Sequence, residues 1–222
     1  IRFLRVKNYF KYFCSLKKIF SEIRLITTII ISKSIITVSQ STKDELFKRY
    51  SFLPRKYKEK LSNIIIIANG VTQFKSNKKF FPADDFPKEF YLYVGDRRPH
   101  KNISYLIDLI SLLRKKYKDN SCLIIAGSDS YINKELKEKI LENKDFIFEL
   151  INPEDYVLNY LYKKCKSFFL LSNYEGFGRT YIEAQKVGIP VLALKNNITA
   201  EVLLDNGYLI EEFSINNFKK GF

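Results

Sequence analysis

Two stretches carry residue types at spacings that can do chemistry. The first is VGDRRPHKN, residues 94–102. Arg97, Arg98 and Lys101 crowd a loop between an apolar run ending at Gly95 and a helical pattern opening near Asn102. A helix N-terminus already attracts anions through its free N–H groups and its dipole. Cations added there make a diphosphate clamp. A basic surface loop capped by Asn102 would read the same way. His100, the one histidine, is read as a polar contact in that loop rather than as a general base. The second stretch is NYEGFGRTYIEAQKVGIPV, residues 173–191. Glu175 follows an apolar strand pattern, and Gly176 and Gly178 flank Phe177 in the turn. Glycines let the backbone approach a ligand and expose N–H groups to it. Thr180 falls near the start of the next helix. Glu183 lies on the first turns of that helix, where a carboxylate can accept two hydrogen bonds from a vicinal diol such as a ribose. The alternative for Glu183 is an acid that merely favours the helix dipole. A lone Gly-x-Gly turn is a weak signal. Acid, Gly-aromatic-Gly, Thr, acid and Gly-x-Pro ahead of a strand form a far more specific set.

These residues need a scaffold, and the pattern from Tyr91 onward supplies one. FYLYV (90–94), CLIIAG (122–127), DFIFEL (145–150), SFFLLS (167–172), IPVLAL (189–194) and GYLI (207–210) read as strands. Between them, Asn102 to Tyr117 carries apolar residues at Ile103, Leu106, Ile107, Ile110 and Leu113, which is helical spacing. Asn133 to Leu141, a segment opened by Pro153, Thr180 to Lys186 and Thr199 to Leu204 complete the alternation. Strands apolar on both faces, alternating with helices, imply an α/β fold with a parallel, Rossmann-like sheet covered on both faces. Ligands bind such sheets at the carboxyl ends of the strands. Both chemistry-bearing stretches lie there.

The part before Tyr91 reads differently. Ile1 to Arg24 looks like a basic amphipathic helix with interleaved aromatics, a type that can lie in an anionic membrane interface. Packing on another part of the protein is its bland alternative. SIITVS (34–39) reads as a strand, and STKDELFKRY as a helix with Ser41 or Thr42 as N-cap. NIIIIANGV (63–71) reads as a strand entering a tight turn. KSNKKFFPADDFP (75–87) looks like a linker. The expected domains are therefore 1–75, the end of a first domain with its connection, and 76–222, a ligand-binding domain incomplete at its C-terminus.

Composition narrows the function classes. The 222 residues carry a net charge of +14. A basic excess attracts phosphates, yet no recognisable nucleic-acid-binding motif is present and the aromatics sit mostly in strands. The turn after Gly95 lacks G-x-G-x-x-G, which argues against a dinucleotide-dependent dehydrogenase. Cys14, Cys122 and Cys165 have no metal-ligand spacing, which suits a reducing compartment. The apolar run Leu25 to Val38 is too short and polar to span a bilayer. The chain starts at Ile1 and contains no Met, so it is expected to be a fragment.

EGFGRTYIEAQKVGIPVLA resembles the E-x7-E signature of the family 4 retaining glycosyltransferases (glycosyl transferases group 1), whose fold is called GT-B. VGDRRPHKN resembles that family's G-x-R-x-x-x-K-N loop. TVSQSTKDEL and IIANGV resemble its recurrent segments at the end of the first domain and just ahead of the second. The resemblance implies the C-terminal, donor-binding half of the fold with remnants of the N-terminal domain. It gives Arg97 and Lys101 the donor diphosphate and Glu175 the transferred sugar, as the catalytic-site acid. Gly176, Phe177 and Gly178 would meet sugar hydroxyls and phosphate, Thr180 the distal phosphate, and Glu183 the ribose. Arg179-Thr180 departs from the apolar pair usual after the second glycine.

The implied reaction moves a hexose-like sugar from a UDP- or GDP-linked donor to a glycan or lipid-linked acceptor, with retention. Mannosyl transfer in cell-surface polysaccharide synthesis is the setting expected from the family. The nucleotide sugar is a substrate, no cofactor or metal is implied, and no nucleic-acid partner is expected. The implied location is cytoplasmic, with peripheral contact on the inner face of the plasma membrane. As a fragment, the chain alone is expected to bind nucleotide weakly and to transfer no sugar; the alternatives are an inactive fragment or pseudoenzyme that only binds nucleotide, and a basic nucleic-acid-binding protein.

Overall fold

The computed structural model describes residues 18–71 and 86–211. The chain divides into two compact units, Ile1–Ala68 and Asn69–Phe222. The boundary expected at 75/76, and most of the expected amphipathic helix at 1–24, lie outside the described residues.

Among the described residues of the first unit, helix α1 comes first, residues 18–31. Its last carbonyls are held by one cation: Lys60 Nζ donates to Ile29 O (3.0 Å), Ile30 O (3.1 Å) and Ser32 O (2.6 Å). A lysine there satisfies orphan acceptors and the negative end of the dipole together. Strand β1 is only Ile36–Thr37, pairing in parallel with β2, Ile65–Ile66. Both expected strands were longer, because apolar content alone does not say how many residues find a partner. Helix α2 runs Gln40–Arg49 and is capped by Ser39, whose Oγ accepts from Thr42 N at 3.1 Å. Ser41 and Thr42 instead fall inside the helix. Helix α3 is Arg55–Ser62. Ile29, Tyr50, Leu53, Leu61 and Ile64 form the small core.

The second unit is built on a six-stranded sheet ordered β5-β4-β3-β6-β7-β8, parallel throughout. In chain order the elements are β3 (Phe90–Val94), α4 (Ile103–Tyr117), β4 (Cys122–Gly127), α5 (Lys134–Glu142) and β5 (Ile147–Ile151). They continue with α6 (Asp155–Lys164), β6 (Ser167–Leu170), α7 (Arg179–Lys186), β7 (Val191–Leu194), α8 (Asn197–Leu203) and β8 (Tyr208–Ile210). The α/β, Rossmann-like reading is what the structure shows. Strand order reverses between β3 and β6. Right-handed crossovers therefore place α4 and α5 on one face and α6, α7 and α8 on the other.

Central strands are buried along their length, β3 and β7 at every residue. Edge strand β5 buries Ile147 but leaves Phe148 and Ile151 exposed. Helix α6 begins at Asp155 with Glu154 as its N-cap, so Pro153 precedes the helix instead of occupying its first turn. Helix α8 starts from a capping box in which Asn196 Oδ1 accepts from Thr199 N and Thr199 Oγ1 accepts from Asn196 N.

β3 and β4 lie close together just past their carboxyl ends. Gly95 N donates to Ala126 O at 2.9 Å. Gly127 has φ of 121°, and a Cβ there would lie 2.4 Å from the carbonyl oxygen of Gly95. Only glycine fits that position.

Candidate functional site

The reversal of strand order opens a crevice at the carboxyl ends of β3 and β6, the place where sheets of this kind take ligands. Two loops meet there, 95–102 after β3 and 171–178 after β6. They are laced together through backbone and side chains. Asn173 N donates to His100 O at 2.9 Å. Asn102 sits in the left-handed region at φ 54° and sends Nδ2 to Leu171 O (2.7 Å) and Asn173 Oδ1 (2.9 Å). The His100 and Tyr174 rings stack with centroids 4.2 Å apart. Lys101 Nζ donates to Glu175 Oε1 at 2.5 Å.

Between the loops is a cavity of about 490 Å³, lined by Arg98, Pro99, His100, Lys101, Tyr131, Tyr174, Glu175 and Gly176. That is the size range of small-molecule sites. Lys101 and Glu175, expected to serve diphosphate and sugar, are thus brought together as a nearly buried ion pair with side chains 12% and 13% exposed. A cation and an acid side by side at a cavity wall can address a phosphate and the hydroxyls of a group attached to it. Gly176 shares the wall.

The other expected residues lie elsewhere. Phe177, Gly178, Thr180 and Glu183 are not among the lining residues. Gly178, at φ 76°, is the N-cap of α7, whose first turn contains Thr180. Glu183 is buried and accepts from Tyr162 Oη at 3.0 Å. Burial and the neighbouring Glu183 carboxylate push the Tyr162 hydroxyl well above its ordinary pKa, so it stays a donor. Arg97 turns into the domain, and its side chain is fully buried. Its guanidinium donates to Gly95 O (3.1 Å) and Ile125 O (3.2 Å) and reaches Glu149 Oε1 at 3.5 Å. As the structure stands, Arg97 does not open onto the cavity; the arginine that does is Arg98.

Tyr131 went unread in the sequence. It stands after β4 at φ 69°, exposed, with the Arg98 guanidinium 4.7 Å from its ring centroid. A signal existed in its position, in the loop following the carboxyl end of a parallel strand. Tyr174 lay inside the quoted motif but carried no expected role.

Burial, then the charge of Lys101, lowers the His100 pKa below 6.5. The ring is therefore neutral at pH 7 and serves as a stacking partner. The unfolded chain takes up the proton first as pH falls, so the contribution of His100 to stability is lost from about pH 6.5 downward. Proton NMR reads this residue without ambiguity, since the chain has one histidine. The expected titration midpoint lies below 6.5; a midpoint at or above it contradicts the burial.

Comparison with known proteins places this geometry in a family. The family described as glycosyl transferases group 1 matches residues 74–222. A glycosyltransferase of Haemophilus influenzae is 26% identical, over 97% of this chain and 70% of its own length. The O-antigen chain mannosyltransferase RfbU of Salmonella typhimurium is 30% identical, over 80% of this chain and 46% of its own length. Anabaena HepE, solved with UDP and glucose, superposes with a TM-score of 0.67 at 21% identity, covering 89% of this chain and 55% of HepE. The chain thus spans only part of each of these proteins, and the solved structure speaks for the fold alone. The family model covers the whole sheet and both loops of the crevice, and the chain belongs to the glycosyl transferases group 1 family.

Proposed function

We propose that the protein transfers a hexose-like sugar from a nucleoside-diphosphate donor, with retention of configuration, and that the cavity between the two loops binds the donor. The Lys101–Glu175 pair carries this reading. Negative charge grows on the diphosphate as the glycosidic bond to it breaks. A fixed ammonium in a partly dehydrated wall stabilises that charge without reorganising at the moment of reaction. Glu175 accepts hydrogen bonds from sugar hydroxyls and holds the sugar at that wall. Gly176 lets a sugar approach the backbone closely. The family resemblance assigns Glu183 the ribose diol, Gly176, Phe177 and Gly178 backbone donation, and Thr180 the distal phosphate; of these only Gly176 lines the cavity, and Glu183 is buried against Tyr162.

Mannose is the favoured sugar because the Salmonella relative is an O-antigen chain mannosyltransferase. The nucleotide is UDP or GDP, and the acceptor a glycan or lipid-linked glycan. A screen against UDP-, GDP- and ADP-sugars tests this by thermal shift. Ligand at about 100 times its Kd adds about 2.7 kcal/mol of stability. Stabilisation by one nucleotide class is expected, and no shift with any donor would remove the reading.

A lipid-linked acceptor gives the start of the chain a purpose. In α1, Ile19, Phe20 and Ile23 are exposed alongside Lys18 and Arg24. Among the described residues no helix is long and apolar enough to cross a membrane. Basic residues interleaved with apolar ones instead suit peripheral docking on anionic lipid. Co-sedimentation with anionic but not neutral liposomes, weakened by salt, is the expected result. Equal pelleting with both, or with neither, rejects it.

A further inference from the structure

We infer that the two adjacent arginines of the crevice loop have divided roles: Arg98 meets the donor diphosphate, and Arg97 is a positioning residue that holds the loop from below. This rests on the donor-binding reading above and assigns residues within it.

The backbone directs the division. Arg98 is extended, at φ −63° and ψ 145°, in the polyproline II region, where three residues complete a turn and neighbouring side chains diverge. With Arg97 turned into the domain, Arg98 is directed away from it. Arg97 enters, with its side chain fully buried, while the Arg98 side chain is 48% exposed. The Arg97 terminal nitrogens span three adjacent strands. They reach Gly95 O just after β3, Ile125 O in β4 and Glu149 on β5. A planar fork can serve acceptors on several strands at once, whereas an ammonium presents a compact point charge. The backbone is anchored beside it, with Arg97 N donating to Ser130 O at 3.3 Å and Tyr93 Oη to Asp96 O at 2.6 Å. For Arg97 to reach an anion in the cavity, all three guanidinium contacts would have to break.

Arg98 is placed for that task. It lines the cavity with Lys101. Its guanidinium lies over Tyr131 at 4.7 Å and 3.4 Å from Asp96 Oδ2. An aromatic face steadies a guanidinium plane while leaving its edge N–H groups for an oxyanion. A diphosphate would compete with the Asp96 carboxylate for a guanidinium that is 48% exposed, not with the strand carbonyls that hold Arg97. Tyr131 holds an uncommon left-handed backbone, φ 69°, and such strain gathers at ligand sites.

The test uses the full chain with Arg98→Ala, Arg98→Lys and Arg97→Lys. UDP, GDP and their nucleosides are the probes, and hydrogen exchange is followed over 95–102. Arg98→Ala should weaken the preferred diphosphate about 10-fold or more, leave its nucleoside unaffected, and keep Tm and loop exchange at wild-type values. Arg98→Lys should recover part of the loss. Arg97→Lys should lower Tm and speed exchange in the loop with no ligand present. Wild-type diphosphate affinity in Arg98→Ala overturns the inference. So does an Arg97→Lys variant with unchanged Tm and exchange. If the wild-type chain binds neither nucleotide, the donor reading fails and Arg98 loses its role with it. The ligand-free exchange of Arg97→Lys still decides whether Arg97 holds the loop.

Discussion

Lys101→Ala is expected to lower affinity for the preferred nucleoside diphosphate more than 100-fold, about 3 kcal/mol. Two effects add. A charge-assisted contact to phosphate is lost, at about 1.5–3 kcal/mol. The Glu175 carboxylate, 13% exposed and 2.5 Å from the lysine in the wild type, is left uncompensated beside the incoming anion. The second effect has its own signature. Glu175→Gln on top of Lys101→Ala should restore part of the nucleotide affinity, because it removes the stranded charge. Calorimetric titration of the two variants and the double variant gives the coupling directly. Wild-type affinity in Lys101→Ala, or strictly additive losses in the double variant, would refute this role for the ion pair.

Gly127→Ala should be strongly damaging. The residue sits at φ 121°, and the new Cβ would lie 2.4 Å from the Gly95 carbonyl oxygen, a backbone atom. Backbone strain and overpacking at such a site cost about 3 kcal/mol together, a fall in Tm of roughly 6–12 °C for a chain of this size. The loop that carries Arg98 and Lys101 starts at the atom being displaced, so nucleotide affinity should fall in parallel. Gly188→Ala is a useful contrast. It too has positive φ, 75°, but its Cβ meets nothing within 4 Å, so only the backbone term of about 1 kcal/mol applies. Melting curves of the two variants check the ordering. Equal Tm values would show that the close approach of β3 and β4 does not matter.

The sheet was legible because its strands are short apolar runs ending at loops of distinct composition. Gly95 and Gly127 marked strand ends, and Asn133 was readable as the start of α5, where its Oδ1 accepts from Leu136 N. The direct pairing of Lys101 with Glu175 was not legible, because it needs β3 and β6 to lie side by side, which only the assembled sheet shows. Nor was the orientation of Arg97. It depends on the Ile125 carbonyl and on Glu149, groups remote in sequence whose positions exist only once the sheet forms. Local spacing treats Arg97 and Arg98 alike. Ser39 outranks Ser41 and Thr42 as a cap for a similar reason. Several hydroxyls compete, and the winner is the one that the end of β1 leaves in an extended conformation, φ −155°. Tyr131 escaped notice because an exposed tyrosine in a loop has no periodicity to betray it.

The most direct test of the account is a crystal structure of the chain with UDP or GDP and the matching nucleotide sugar. The account predicts diphosphate oxygens within hydrogen-bond distance of Lys101 Nζ and the Arg98 guanidinium. It also predicts the sugar against Glu175 and Gly176, with Arg97 still turned toward Ile125 and Glu149. A nucleotide bound away from the crevice between the β3 and β6 loops, or a diphosphate held by Arg97 with Arg98 in solvent, would contradict it.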